Sequence, residues 1–252
     1  MAEDFDFIKK RLRELAEKSY NSGIFTFTDF LGLEEQSAFS EIKSSLRGIK
    51  YTAFGGAEGT SRVMLRFGDE DELGYSVDFP IVLLKAAPKS QKWADKLTHR
   101  DILGAVLNLG IERSSVGDIV IKENVAYIFV HEKIATFIKE SLTRAKHTEL
   151  SVTESEKLPD GELFKTEARL VQCASPRIDA VVAKAFSLSR DDSLTLFKRG
   201  LVFVDGRICE NNSRELKEGE TVSVRTKGRF IFRGTQSLSK KGKLNISLEV
   251  FV

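Results

Sequence analysis

The side chains best placed to do chemistry are the bases from residue 176 onward. Arg177 opens one predicted helix, and Ser189-Arg190 open a second. Lys198 and Arg199 fall at the end of that second helix, and Arg207 follows an Asp205-Gly206 turn. In a two-helix unit lying on a hairpin, helix ends and turns gather along one edge. Bases at those positions would present a positive strip to a polyanion. A helix N-terminus adds N–H donors and the positive end of its dipole, both suited to phosphate. Ser189 has two competing roles, capping its helix or touching a phosphate.

A second basic tract follows. Between Arg225 and Lys243 stand seven bases and no acid: Arg225, Lys227, Arg229, Arg233, Lys240, Lys241 and Lys243. Lys227 and Arg229 join the candidate RNA contacts. The tract reads either as more phosphate contacts or as an exposed edge strand and turn blunted by lysine. The interleaved Phe230 and Phe232 are expected in the core.

Charge is unevenly spread. Residues 176–252 hold 15 Lys/Arg against 9 Asp/Glu, while the preceding residues hold 24 against 28. The net charge of +2 therefore hides a basic tail on an acidic body, a pattern of nucleic-acid-binding modules. The acidic body is left as a surface for a protein partner. With 3 His and 2 Cys, scattered, no zinc-ligand spacing exists, so no metal is expected. Gly55-Gly56-Ala57-Glu58-Gly59 lacks the Lys-Ser/Thr pair of a phosphate loop and reads as a mobile turn. No catalytic residue and no cofactor is assigned. Met1–Asp6 carries three acids and no apolar run, and no apolar stretch suits a membrane helix, so a cytoplasmic location without membrane contact is expected.

The elements that must position these residues follow from periodicity. Residues 1–76 read as a mainly helical unit with a short β element: Phe5, Ile8, Leu12 and Leu15 have helical spacing, Glu35–Leu46 fits a further helix, and Val63, Leu65 and Phe67 alternate as a strand. Residues 77–155 run strand, helix, strand, strand, helix, strand, the order of a ferredoxin-like plait. Within it Thr98 and Asp101 form a capping box. That leaves His99 and Arg100 on the helix's exposed first turn, either as secondary RNA contacts or as plain surface. Tyr127 and Phe129 are expected in the core. Residues 156–175, with Pro159-Asp160-Gly161, read as a linker. Residues 176–252 give two helices and a set of hairpins. The fold class is α+β.

The tail resembles the alpha-L RNA-binding domain. The resemblance rests on Arg177-Ile178-Asp179, Ser189-Arg190, the run Lys198–Gly206 and the run Leu216–Val224. It implies that Arg177, Ser189, Arg190, Lys198 and Arg199 contact RNA and that Asp179 orients Arg177 or the helix start. The chain is further similar to the YlmH family of bacterial ribosome-associated proteins, through Leu97–Ala105, Leu109-Gly110-Ile111, Val116–Ile119, Phe27–Leu31 and Gly55-Gly56. Glu58–Arg62 departs from the family pattern, where Glu and Arg stand side by side. The resemblance implies a non-enzymatic protein on the large ribosomal subunit, with rRNA and tRNA as partners, acting in translation or ribosome quality control. The competing reading is an RNA-modifying enzyme, a pseudouridine synthase or methyltransferase, with an alpha-L targeting domain. The residues before the tail offer neither catalytic domain.

Overall fold

The computed structural model describes residues 2–46, 48–158, 164–239 and 242–251. Pro159-Asp160-Gly161, Lys240 and Lys241 lie outside them. The chain divides into two compact units, Met1–Leu163 and Phe164–Val252.

The first unit opens with α1 (Ala2–Ser22), β1 (Thr26–Phe27) and α2 (Leu33–Ile42), then β2 (Tyr51–Phe54), β3 (Met64–Phe67) and α3 (Glu70–Leu73). The three strands form a sheet in the order β1-β3-β2, so this region carries more β structure than its helical periodicity suggests. Leu12 and Ala16 of α1 and Phe39 and Ile42 of α2 bury against Leu65 and Phe67 of β3.

The plait follows: β4 (Ile81–Pro88), α4 (His99–Leu107), β5 (Val116–Lys122), β6 (Val125–His131), α5 (Glu132–Ser141), a short β7 (Arg144–Ala145) and β8 (Thr148–Glu154). The antiparallel sheet order β5-β6-β4-β8-β7 is that of a split βαβ plait with one extra hairpin strand. Glu123 and Asn124 take positive φ, as a two-residue hairpin turn requires. Ile102 and Val106 of α4 and Ala135 and Ile138 of α5 bury against Leu84, Ala126 and Ile128.

The other face of the plait meets the N-terminal sheet. Phe129 packs there with Phe30, Ala57 and Met64. This shared core puts the expected boundary near residue 76 inside one packed unit. Gly56, at φ +99°, lies so close to the Phe129 ring that a Cβ would stand 2.2 Å from a ring carbon. The glycine pair thus serves close packing rather than a mobile turn. Phe129 is core, but Tyr127, two residues back, is half-buried outside every core cluster, because the N-terminal sheet stops short of it.

The second unit is one sheet with two helices on one face. Its elements are β9 (Thr166–Cys173), α6 (Ile178–Ala185), α7 (Arg190–Lys198), β10 (Val202–Val204), β11 (Arg207–Ile208), β12 (Thr221–Val224), β13 (Gly228–Leu238) and β14 (Leu244–Phe251). The order is β11-β10-β12-β13-β14-β9. Two sequence readings need correction. Residues 166–173, expected in a linker, form β9, which pairs along its whole length with β14. The basic tract is an edge strand only in part: Gly228–Ile231 of β13 pair with β12, Phe230 and Ile231 pair with β14 as well, and Thr235–Leu238 pair with β14. Phe230 and Phe232 are buried as expected, with Val181, Val182 and Phe197 of the helices.

Candidate nucleic-acid interface

Helix α7 sets out most of the candidate bases. Leu196 and Phe197 anchor it to the core, which turns Lys198 and Arg199 outward at its end. Gly200, at φ +63°, closes the helix, and the Gly200 and Leu201 N–H groups bond back to Phe197 and Leu196. The chain then meets the β12–β13 turn, where the Arg225 N–H donates to the Leu201 carbonyl at 2.9 Å. Thr226 takes φ +72°, and the Lys227 N–H returns to Val224 at 3.0 Å. Lys198, Arg199, Arg225 and Lys227, all exposed, therefore share one corner. The negative end of the α7 dipole favours positive groups there.

The helix start is different. Ser189 Oγ accepts the Asp192 N–H at 3.1 Å and donates to Asp192 Oδ2 at 2.7 Å. Its hydroxyl is thus committed to the cap, which counts against a phosphate contact by this side chain. Arg190 is exposed, but Asp191 and Asp192 follow it in the first turn, so the local charge is negative. Arg177 forms a bidentate pair with the buried Asp179: Nε–Oδ1 is 3.1 Å and Nη2–Oδ2 is 2.9 Å. Asp179 thus orients Arg177, and the Ser193 hydroxyl ties α7 to the Asp179 carbonyl. Arg190 and Lys198 stand at opposite ends of α7, roughly 12 Å apart along its axis.

The remaining candidates disperse. Arg207 follows the β10–β11 turn, at the far end of β10 from the Lys227 turn. Arg229 pairs across from Ser223, on the face opposite the helices. Its guanidinium lies over Phe251, 3.8 Å from the ring centroid. Among the bases of the tract, Arg233 is held by Glu249 at 2.8 Å. Arg225 was the residue missed as an individual candidate; its only signal was a base beside a strand-to-strand turn.

His99 and Arg100 lie in the first unit, at the start of α4. Thr98 and Asp101 form the expected box, and Lys146 reaches Asp101 at 2.9 Å. Burial, and then the charge of Arg113, push the His99 pKa down, so its imidazole favours the neutral form. That weakens the reading of His99 as a cationic contact. Among the described residues no cluster of three or more His, Cys, Asp or Glu could hold a metal, and no helix is long and apolar enough to cross a membrane.

Residues 75–158 match the family model described as "Putative RNA-binding domain in YlmH". The matched segment spans the plait and both of its helices. Beyond it, the chain is 33% identical over 165 residues to the ribosome-associated protein quality control protein P2 of Bacillus subtilis. That match covers 63% of this chain and 63% of the relative's length. The cell division protein ylmH from Streptococcus pneumoniae is 24% identical, with a TM-score of 0.48 over 60% of this chain and 91% of the other.

Proposed function

We propose that the chain is a non-enzymatic RNA-binding protein of the ribosome, whose tail unit grips rRNA of the large subunit and whose work lies in translation quality control. The observation that carries this reading is the corner formed by Lys198, Arg199, Arg225 and Lys227. Four exposed bases on a helix end and a turn suit recognition of RNA shape and phosphate spacing rather than of sequence. The tail, read as an alpha-L domain over residues 176–252, supplies the grip, and Arg177 and Arg190 extend it along α7. Support for the ribosome comes from the printed name of the Bacillus relative, and support for RNA from the YlmH-type domain. The same assignment makes tRNA on a stalled complex a second ligand.

The test is a titration of a large-subunit rRNA fragment at several salt concentrations. Each phosphate contact contributes about 0.7 to 0.9 log units of affinity per decade of salt. The variant Lys198→Ala/Arg199→Ala/Lys227→Ala should lower the slope by roughly two to three. A flat salt response, or co-sedimentation with the small subunit alone, overturns the reading.

A further inference from the structure

The plait carries a second constellation, half-buried on the sheet and exposed in the adjoining loop, at the end away from the N-terminal sheet. The register sets Val120, Tyr127, Lys85 and Thr153 side by side across four strands. Directly opposed side chains of this kind stand about 5 Å apart at Cβ, so Lys85 flanks the Tyr127 ring. Lys122 lies on the same face, diagonal to Tyr127 on the next strand. Among the described residues, none of the recorded core clusters includes Tyr127.

The loop that leaves β4 at this end adds a larger ring. Trp93 is 80% exposed, the most exposed large apolar side chain among the described residues. Lys92 Nζ lies 5.1 Å from its ring centroid. The loop is pinned beyond Trp93: the Asp95 N–H donates to Thr148 Oγ1 at 2.8 Å, and the Leu97 N–H donates to Asn124 Oδ1 at 2.8 Å. Asn124 is the turn of the β5–β6 hairpin, so the Trp93 loop is held beside the strand ends that bear Lys122 and Tyr127. Nearby acids are largely engaged. Glu149 pairs with Lys89, Asp101 with Lys146, and Asp95 receives the His147 N–H; Glu123 in the turn is exposed.

Two aromatic faces among lysines, with a bonded scaffold beneath, match what an unpaired nucleic-acid strand needs: surfaces for bases and charges for phosphates. A duplex keeps its bases stacked inside and would leave Trp93 in water. We propose that this end of the plait binds single-stranded RNA, with Trp93 and Tyr127 stacking bases and Lys85, Lys92 and Lys122 meeting phosphates. The inference deepens the RNA-binding reading by giving the plait a different ligand form from the tail.

Trp93 is the only tryptophan of the chain, so its fluorescence reports this site directly. The full chain is titrated with short oligouridylate, oligoadenylate and a mixed-sequence RNA duplex. Single strands should quench the emission, and Lys85→Ala/Lys122→Ala should weaken that binding about tenfold. Lys198→Ala/Arg199→Ala should leave the quenching unchanged. Circular dichroism confirms that each variant is folded. No quenching by either single strand, or quenching by the duplex at the same concentrations as by the single strands, overturns the inference. So does quenching indifferent to the Lys85/Lys122 change, or abolished by the tail variant. Retained tail binding to rRNA alongside any of these results leaves the tail reading intact.

Discussion

Arg62 Nε donates to the Val116 carbonyl at 3.0 Å, clasping the loop before β3 to the first residue of β5. Arg62 Nη2 also donates to the Phe30 carbonyl at 2.6 Å, and Arg113 Nη1 donates to the same Val116 oxygen. Burial lowers the pKa of Arg62, and burial followed by Arg62 itself brings Arg113 down to about 10. Both remain charged at neutral pH. The Glu58–Arg62 loop thus has a structural role, joining the N-terminal sheet to the plait.

Arg62→Ala should cost the first unit about 2–4 kcal/mol, because several carbonyls lose a charged donor inside the protein. Arg62→Lys should recover only part, since an ammonium cannot reproduce the planar fork. Urea unfolding followed by circular dichroism measures both; a change below about 0.5 kcal/mol for the alanine variant would refute the clasp.

Gly56→Ala should destabilise by roughly 2–4 kcal/mol, since the new methyl meets the Phe129 ring and the backbone sits at φ +99°. Gly110→Ala is the control. Its φ of +83° is also unfavourable, but nothing lies within 4 Å of the added carbon, so about 1 kcal/mol is expected. Equal losses would show that the ring contact is immaterial.

Asp101 gives a pH signature. The Thr98 hydroxyl, and then Lys146, lower its pKa from 3.8 to about 2. The folded chain therefore keeps this carboxylate ionised where the unfolded chain protonates it. Its contribution is complete above the unfolded pKa and fades as pH falls through the folded one. A carboxyl NMR titration should place Asp101 well below the ordinary aspartate value, and Asp101→Asn should flatten the acid limb of stability between about pH 4 and pH 2. An ordinary titration midpoint would contradict the capping-box geometry.

Arg177→Ala should lower stability by about 1–3 kcal/mol, because Asp179 is 2% exposed and would keep only local backbone partners such as the Ala180 N–H. Adding Asp179→Ala should restore part of the loss. Strictly additive losses in this double-mutant cycle would mean that the pair is not coupled. Binding losses seen with Arg177→Ala have to be compared with this stability change before they are assigned to phosphate contact.

Local chemistry was the legible part. Thr98 with Asp101, Ser189 with Asp192, Glu123-Asn124 and Asp205-Gly206 are decided by neighbours a few residues away, and each marks its element in the sequence. β9 was not legible. Only Val171 and Cys173 of its residues are buried, so hydrophobic alternation is too weak to separate an edge strand from a polar connector. The corner of Lys198, Arg199, Arg225 and Lys227 depends on the long-range pairing of β10 with β12, which ends in the Arg225–Leu201 bond, and no spacing rule announces it. Tyr127 and Phe129 look alike in the sequence, yet Phe129 joins a core with the N-terminal sheet and Tyr127 stays half-buried outside it.

The tail sheet closes out of order. β9 is the earliest of its strands along the chain, yet its hydrogen-bonded neighbour is β14, the latest in the sheet. A ribosome making this protein would hold β9 without its mate while both helices and four further strands emerged. Such late closure is entropically slow, and it ties the finished sheet to the arrival of Leu244–Phe251. A copy halted before that stretch would lack the partner of β9 and the outer neighbour of β13 alike, and would leave Phe230 and Phe232 without Val250 and Leu248 beside them.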